Sequence, residues 1–416
     1  MRKPCTNHRL LFDIGSTYFK VCEAGHIEHY FRNFRIPIHD DLRAKCGEKI
    51  ARYAPEDIAI CSSANGGLST LIVGISRAFS LTYATNIAYN SGINIIDTVL
   101  YRDIERASVP TGTIDVVILA GGIDDVAEVF DARLMTFLEQ FSYQNIVHVG
   151  SARVAEALRT QLPDLVVLPN ILDRKLKMHE APLRRYLTDL YQADIVGKEE
   201  IKELYAITAN QIYPTPYIVN RALPRIAEDY DLVDPFVLID IGGATTDIHY
   251  SRDLVNDRLV TEGGYDRLVF KKLGVYKSRE SLVYTARHNE YVYELLGHLG
   301  ATESILDEQS DTATRILMLL AIFLVLYKVS RHHADYVELK LEHLNALVFT
   351  GGIAKVLTPE EVERVVSFFY NKLLRFHRIP RVVLDGPYAI WTYGHASTQE
   401  ASDTPRTAAT SSQELP

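Results

Sequence analysis

Three glycine-marked turns hold the residues best suited to do chemistry. The first is Asp13-Ile14-Gly15-Ser16-Thr17-Tyr18-Phe19-Lys20, which follows the apolar run Leu10–Ile14. Gly15 permits a sharp hairpin that presents backbone N–H groups. Ser16 and Thr17 add hydroxyl donors, so the turn can cradle phosphate oxygens, and Lys20 brings a positive charge to them. Asp13 would repel a phosphate directly, but it suits a hydrated Mg2+, which takes only one or two carboxylates and keeps several waters. The second turn, Asp240-Ile241-Gly242-Gly243-Ala244-Thr245-Thr246-Asp247, offers the same parts. Gly242 and Gly243 let the backbone approach a ligand, Thr245 and Thr246 donate, and Asp240 faces the ion. Asp240 or Asp247 could orient or deprotonate an attacking water. With Lys20, these are the candidate catalytic residues, because phosphoryl transfer needs little beyond positioning and charge neutralisation. The third element, Leu347–Leu357, ends an apolar strand in Gly351-Gly352. Glycines there allow a flat ring such as adenine to lie against the backbone.

Any one of these turns is usually only a turn. All three in this order make a set that chance seldom produces, and the elements around them must bring them together. The runs Leu10–Ile14, Ile58–Ser62, Asp115–Ala120, Val147–Val149, Leu165–Leu168, Phe236–Ile241 and Leu347–Thr350 are short and continuously apolar, as strands covered on both faces should be. Ala127–Ser142 and Ser151–Leu162 carry apolar residues at helical spacing. Asn170–Asp234 reads as mostly helical, broken at Pro214, Pro216 and Pro224. Alternating strands and helices predict an α/β architecture. The acidic stretch ending at Pro235 marks a boundary, after which the strand–turn–strand device recurs. The expected organisation is therefore a first domain over 1–234 with a helical insertion and a second over 235–396. A disordered Ser/Thr/Ala/Pro-rich tail over 397–416 completes it.

Composition narrows the class. The chain has 416 residues, 47% of them hydrophobic and 23% charged, as in a soluble globular protein. A net charge of −9 argues against non-specific nucleic-acid binding. Cys5, Cys22, Cys46 and Cys61 form no CxxC pair, which predicts a reducing, cytoplasmic setting and neither a disulfide framework nor a zinc site. The run Ile316–Tyr327 is too short to span a membrane and predicts a buried helix, starting near Asp311 or Thr312. No membrane association is expected. Cys61-Ser62-Ser63 reads as a strand end and not as a nucleophile, because no general base lies near it in sequence. Oligomeric state is left open.

The three turns resemble the phosphate 1, phosphate 2 and adenosine motifs of the actin, Hsp70 and sugar-kinase ATPase superfamily. More narrowly, "DIGGATTDIH" (Asp240–His249), "CSSANGGL" (Cys61–Leu68), "DVVILAGGIDD" (Asp115–Asp125), "VVLPNI" (Val166–Ile171) and "LDGPYAIWTYG" (Leu384–Gly394) resemble the MutL/GlmL family, accessory proteins of adenosylcobalamin-dependent glutamate mutase and related aminomutases. The resemblance implies an α/β fold of two related actin-like (ribonuclease H-like) domains with a nucleotide cleft between them. It implies roles in holding ATP for Asp13, Gly15, Thr17, Lys20, Asp240, Gly242, Gly243, Thr245, Gly351 and Gly352. It also implies a reactivase or chaperone-like ATPase working on a cobalamin-dependent mutase. A small-molecule kinase of the same fold and a filament or scaffold protein are the alternatives.

Overall fold

The computed structural model describes residues 10–15, 17–33, 35–63, 68–91, 93–122, 130–175, 177–197, 202–255, 264–331 and 338–400. The chain opens with β1 (Leu10–Ile14), β2 (Tyr18–Glu23) and β3 (His26–Phe31), a meander in which each strand runs antiparallel to the next. The helix Ile38–Ile50 then crosses over, and β4 (Ile58–Ser62) pairs parallel with β1. β1 and β4 are buried at every residue, as their largely apolar runs favour, and the burial takes in Asp13 and Ser62.

Between β4 and the return to this sheet the chain builds a second layer of its own. β5 (Ser69–Gly74), β6 (Asn94–Leu100), β7 (Thr113–Ala120), β8 (Ser142–His148) and β9 (Val166–Val167) form an all-parallel sheet in the order β6-β5-β7-β8-β9. The sequence announces three of these strands but not that they make a separate sheet. The helix expected over Ala127–Ser142 is shorter. Its start at 127–129 lies outside the described residues. Asp131 accepts a hydrogen bond from the Arg133 amide and opens the helix Ala132–Leu138, and Ser142 already begins β8. β10 (Tyr213–Pro214) then closes the first sheet against β4.

The second half repeats the first. β11 (Phe236–Ile241), β12 (Thr246–Ser251) and β13 (Tyr265–Phe270) form an antiparallel meander. β14 (Ala346–Gly351) pairs parallel with β11, and β15 (Arg381–Leu384) parallel with β14. The order β13-β12-β11-β14-β15 matches β3-β2-β1-β4-β10 strand for strand. The same topology twice in one chain is the evidence for two related halves.

Two helices tie the halves together. Thr215–Asp229 continues through Pro224, the break expected there being overridden by the buried face Ile218, Val219, Ala222, Leu223 and Ile226. It packs on Ile390–Glu400, whose last turn takes in Ser397–Glu400, where the tail was expected to begin. A Cβ on Gly394 would lie 1.9 Å from the Ile218 carbonyl oxygen, so the two backbones approach as closely as only glycine allows. Leu11 and Ala59 of the first sheet and Phe236, Leu238 and Val348 of the second share one core with these helices. The helix Asp311–Val329, capped by Ser310, fills the core of the second half. By length and composition it could cross a membrane, but 67% of its most apolar window is buried inside the protein.

Candidate functional site

The repeated topology brings the two hairpin tips face to face. In the first, the Gly15 amide donates to the Tyr18 carbonyl at 2.9 Å; in the second, the Gly242 amide donates to the Thr245 carbonyl at 2.9 Å. A Cβ on Gly243 would stand 2.7 Å from Thr17 Oγ1, so tips from opposite halves of the chain touch. Together they wall a cavity of about 430 Å³. Gly15, Thr17, Lys20, Asp240, Gly242, Gly243, Thr245, Asp247 and Gly352 line it.

Strand alternation decides which predicted residues reach this space. On β12, Asp247 and His249 face the cavity. Thr246, between Thr245 and Asp247, points the other way, fully buried, and its hydroxyl donates to the Leu273 carbonyl at 2.9 Å. Ser16 lies outside the described residues. Asp13 is fully buried beneath the cavity floor, where the Lys20 ammonium pairs with it and Thr215 Oγ1 donates to Oδ1 at 2.6 Å. Gly351 sits just behind the wall with φ +90°, and a Cβ there would fall 2.4 Å from both Asp240 Oδ1 and the Ile241 carbonyl oxygen. Only glycine satisfies that backbone and that contact.

Charge is unevenly distributed. Asp240 Oδ1 is buried without a hydrogen-bond partner among the described residues. Burial, against the pull of Lys20 and helped by Asp247 and Asp13, pushes the Asp240 carboxyl up to about 7. Burial opposes the Lys20 ammonium, but Asp13, Tyr388 and Asp240 more than offset it and hold its pKa above the usual lysine value. Asp247 is gripped by Arg267, whose Nε donates to Oδ1 at 2.9 Å. Burial, then Lys355 and Lys20, push the His29 imidazole down to about 4. Burial and Arg267 depress His249 as well, leaving both rings neutral near pH 7.

Several wall residues escape a motif reading. Tyr388 places its ring 3.7 Å from the Lys20 ammonium and stacks on His29. Its loop is fixed by Asp385, which accepts from Thr350 Oγ1 at 2.8 Å and from the amides of Ala389 and Ile390. Lys355 and Thr215 also face the cavity. Tyr388 and Lys355 lie within the quoted stretches Leu384–Gly394 and Leu347–Leu357, but nothing in their spacing marks them. Arg267 becomes legible only once β13 is known to lie beside β12.

Two α/β halves of one topology, with glycine hairpins meeting across a cleft, define the actin-like fold. Within it the chain belongs to the MutL family: the family model "MutL protein" matches residues 9–339. It is 24% identical over 323 residues to Protein MutL of Clostridium tetanomorphum, covering 74% of this chain and 65% of that protein. The chain thus spans less than two thirds of that relative's length. Among solved structures, a nucleotide-free acetone carboxylase is 13% identical with a TM-score of 0.36, over 94% of this chain and 70% of that one. An activator of the 2-hydroxyisocaproyl-CoA dehydratase from Clostridium difficile, with ADPNP bound, is 11% identical with a TM-score of 0.28, over 97% of this chain and all of that one. At these scores the repeated sheet order, not the structural likeness, carries the fold assignment.

Proposed function

We propose that this protein binds Mg-ATP between its two hairpin tips and hydrolyses it as an accessory protein of an adenosylcobalamin-dependent mutase or aminomutase. The observation that carries the nucleotide reading is the contact of Gly243 with Thr17, which joins both tips in one cavity. The donors there fit a triphosphate: hairpin amides, the Thr17 and Thr245 hydroxyls, and the Lys20 and Lys355 ammonium groups. Asp240, with a buried and unpartnered oxygen, suits a hydrated magnesium ion, which takes few carboxylates. The ion would supply charge neutralisation of the phosphates. Asp13 serves by holding Lys20. Asp247, oriented by Arg267, is placed to position a water. Gly352 and the neighbouring Met318 and Val356 offer a flat, partly apolar wall for the base.

Family membership supports an enzyme client of this class without naming it. Nucleotide-driven closure would act through the two packed helices Thr215–Asp229 and Ile390–Glu400, moving the halves against each other. A bound mutase gains from this only if it prefers one state over the other. In this reading, damaged cobalamin leaves and intact cofactor enters, in the cytoplasm. Calorimetry with Mg-ATP tests the nucleotide site. Release of damaged cobalamin from a stalled mutase, with and without ATP, tests the role, and an ATP-independent result across candidate mutases would refute it.

A further inference from the structure

A second cavity, of about 280 Å³, adjoins the first at Ser63, Pro216, Ala244, Thr245 and Asp247. Its walls come from three layers. Thr245, Asp247, Arg267 and Lys271 belong to the second half, Ser63 to the end of β4, and Tyr89 and Asn94 to the inserted parallel-sheet layer. Two cations cross from the second half to that layer. Arg267 donates to the Tyr89 carbonyl while gripping Asp247, and Lys271 donates to the Ile95 carbonyl.

The charge balance is what makes this a site. Arg267 and Asp247 neutralise each other. Lys271 has only a carbonyl, and no carboxylate among the described residues pairs with it. Lys271 is itself an exposed residue, and the partial burial of its ammonium, with no carboxylate to raise it, pulls it below the usual lysine value. The cavity therefore carries one positive charge with no carboxylate partner among the described residues, beside the Ser63 hydroxyl and the Asn94 side-chain amide; the Ser278 hydroxyl is already donated to the Ala244 carbonyl. An oxyanion would satisfy that charge and these donors at once. The volume, just below the usual range for small-molecule pockets, suits a compact ligand better than a nucleotide.

We infer that this cavity binds a small organic or inorganic monoanion, a carboxylate or a phosphate, seated on Lys271 beside the Asp247 tip. The inference rests on the nucleotide reading for its position, since Thr245 and Asp247 are shared by both cavities. A ligand there would touch the hairpin tip and the inserted layer together.

The test is calorimetry on the full chain with two probes, inorganic phosphate and a series of two- to five-carbon carboxylates, each run with Lys271→Gln and Lys271→Arg. Glutamine keeps a donor for the Ile95 carbonyl and removes the charge; arginine keeps the charge. We expect one of the two probes to bind wild type, at least a tenfold loss in Lys271→Gln and retention in Lys271→Arg. The probe that binds names the source of the anion. Binding by neither probe, or binding indifferent to Lys271→Gln, overturns the inference. Mg-ATP affinity, measured in the same variants, should be unchanged. If Mg-ATP fails to bind wild type while the anion binds, the nucleotide reading fails alone.

Discussion

The two hairpins share a topology, and the rung beside the cavity sets them apart. In the first, Asp13 pairs across the ladder with Lys20; in the second, Asp240 pairs with Asp247. An acid opposite a base makes a closed, buried ion pair. An acid opposite an acid makes a site that wants a cation, and the fold meets that partly by lending Arg267 to Asp247. Asp240 is left with a raised pKa and an unpartnered oxygen. In the shared frame, the Lys20 of one hairpin closes an ion pair, while the Asp247 of the other leaves two acids on one rung.

That asymmetry can be broken. The largest effect should come from Asp240→Asn, which removes the anion facing the cleft. Steady-state ATP turnover should fall about 10²–10³-fold, the scale of losing a pre-organised electrostatic group, with the circular dichroism spectrum unchanged. Normal turnover would remove Asp240 from the site. Lys20→Met should cost roughly 3–5 kcal/mol in denaturant unfolding, because it strands a fully buried Asp13. Asp13→Asn combined with Lys20→Met should recover much of that loss; equal, additive losses would mean that the pair is not coupled.

The second hairpin should respond to pH in the range around neutrality. The Asp240 carboxyl, normally near 3.8, sits at about 7 in the folded protein, so folding favours its neutral form. Below pH 4 both folded and unfolded chains carry it protonated and there is no penalty. As pH rises from 4 through 7 the unfolded chain ionises first, and wild type loses stability relative to Asp240→Asn, by roughly 2–4 kcal/mol at pH 8 without magnesium. Unfolding at pH 5 and pH 8 measures this; a pH-independent difference would place the Asp240 carboxyl near its ordinary value. The smallest effect is expected from Gly243→Ala. Its Cβ would press on Thr17 Oγ1 and spread the tips, weakening Mg-ATP by about 1 kcal/mol in calorimetry. Gly15→Ala, whose Cβ would meet only its own hairpin at Tyr18, is the control on the other tip.

Much of this was legible in the chain itself. Leu10–Ile14, Ile58–Ser62 and Phe236–Ile241 are strands with the bounds their apolar runs predict, because a strand buried on both faces is apolar nearly throughout, Asp13 and Asp240 being the exceptions at the cleft end. The edge strand β3 carries mixed residues and left no such mark, and the edge strand β15, though mostly apolar, is only four residues long. Pro224 misled because local propensity yields to an apolar face already committed to a core.

By itself, the sequence determined the acids, the glycines and their order along the chain, for these are properties of residue type and local turn geometry. Only the tertiary structure decided which of them share a space. Thr246 turns inward on the pleat, Arg267 reaches Asp247 from a neighbouring strand, and Tyr388 covers Lys20 from the far end of the chain. Burial and long-range charge set the state of Asp240. Those are sums over neighbours that no local stretch of sequence contains.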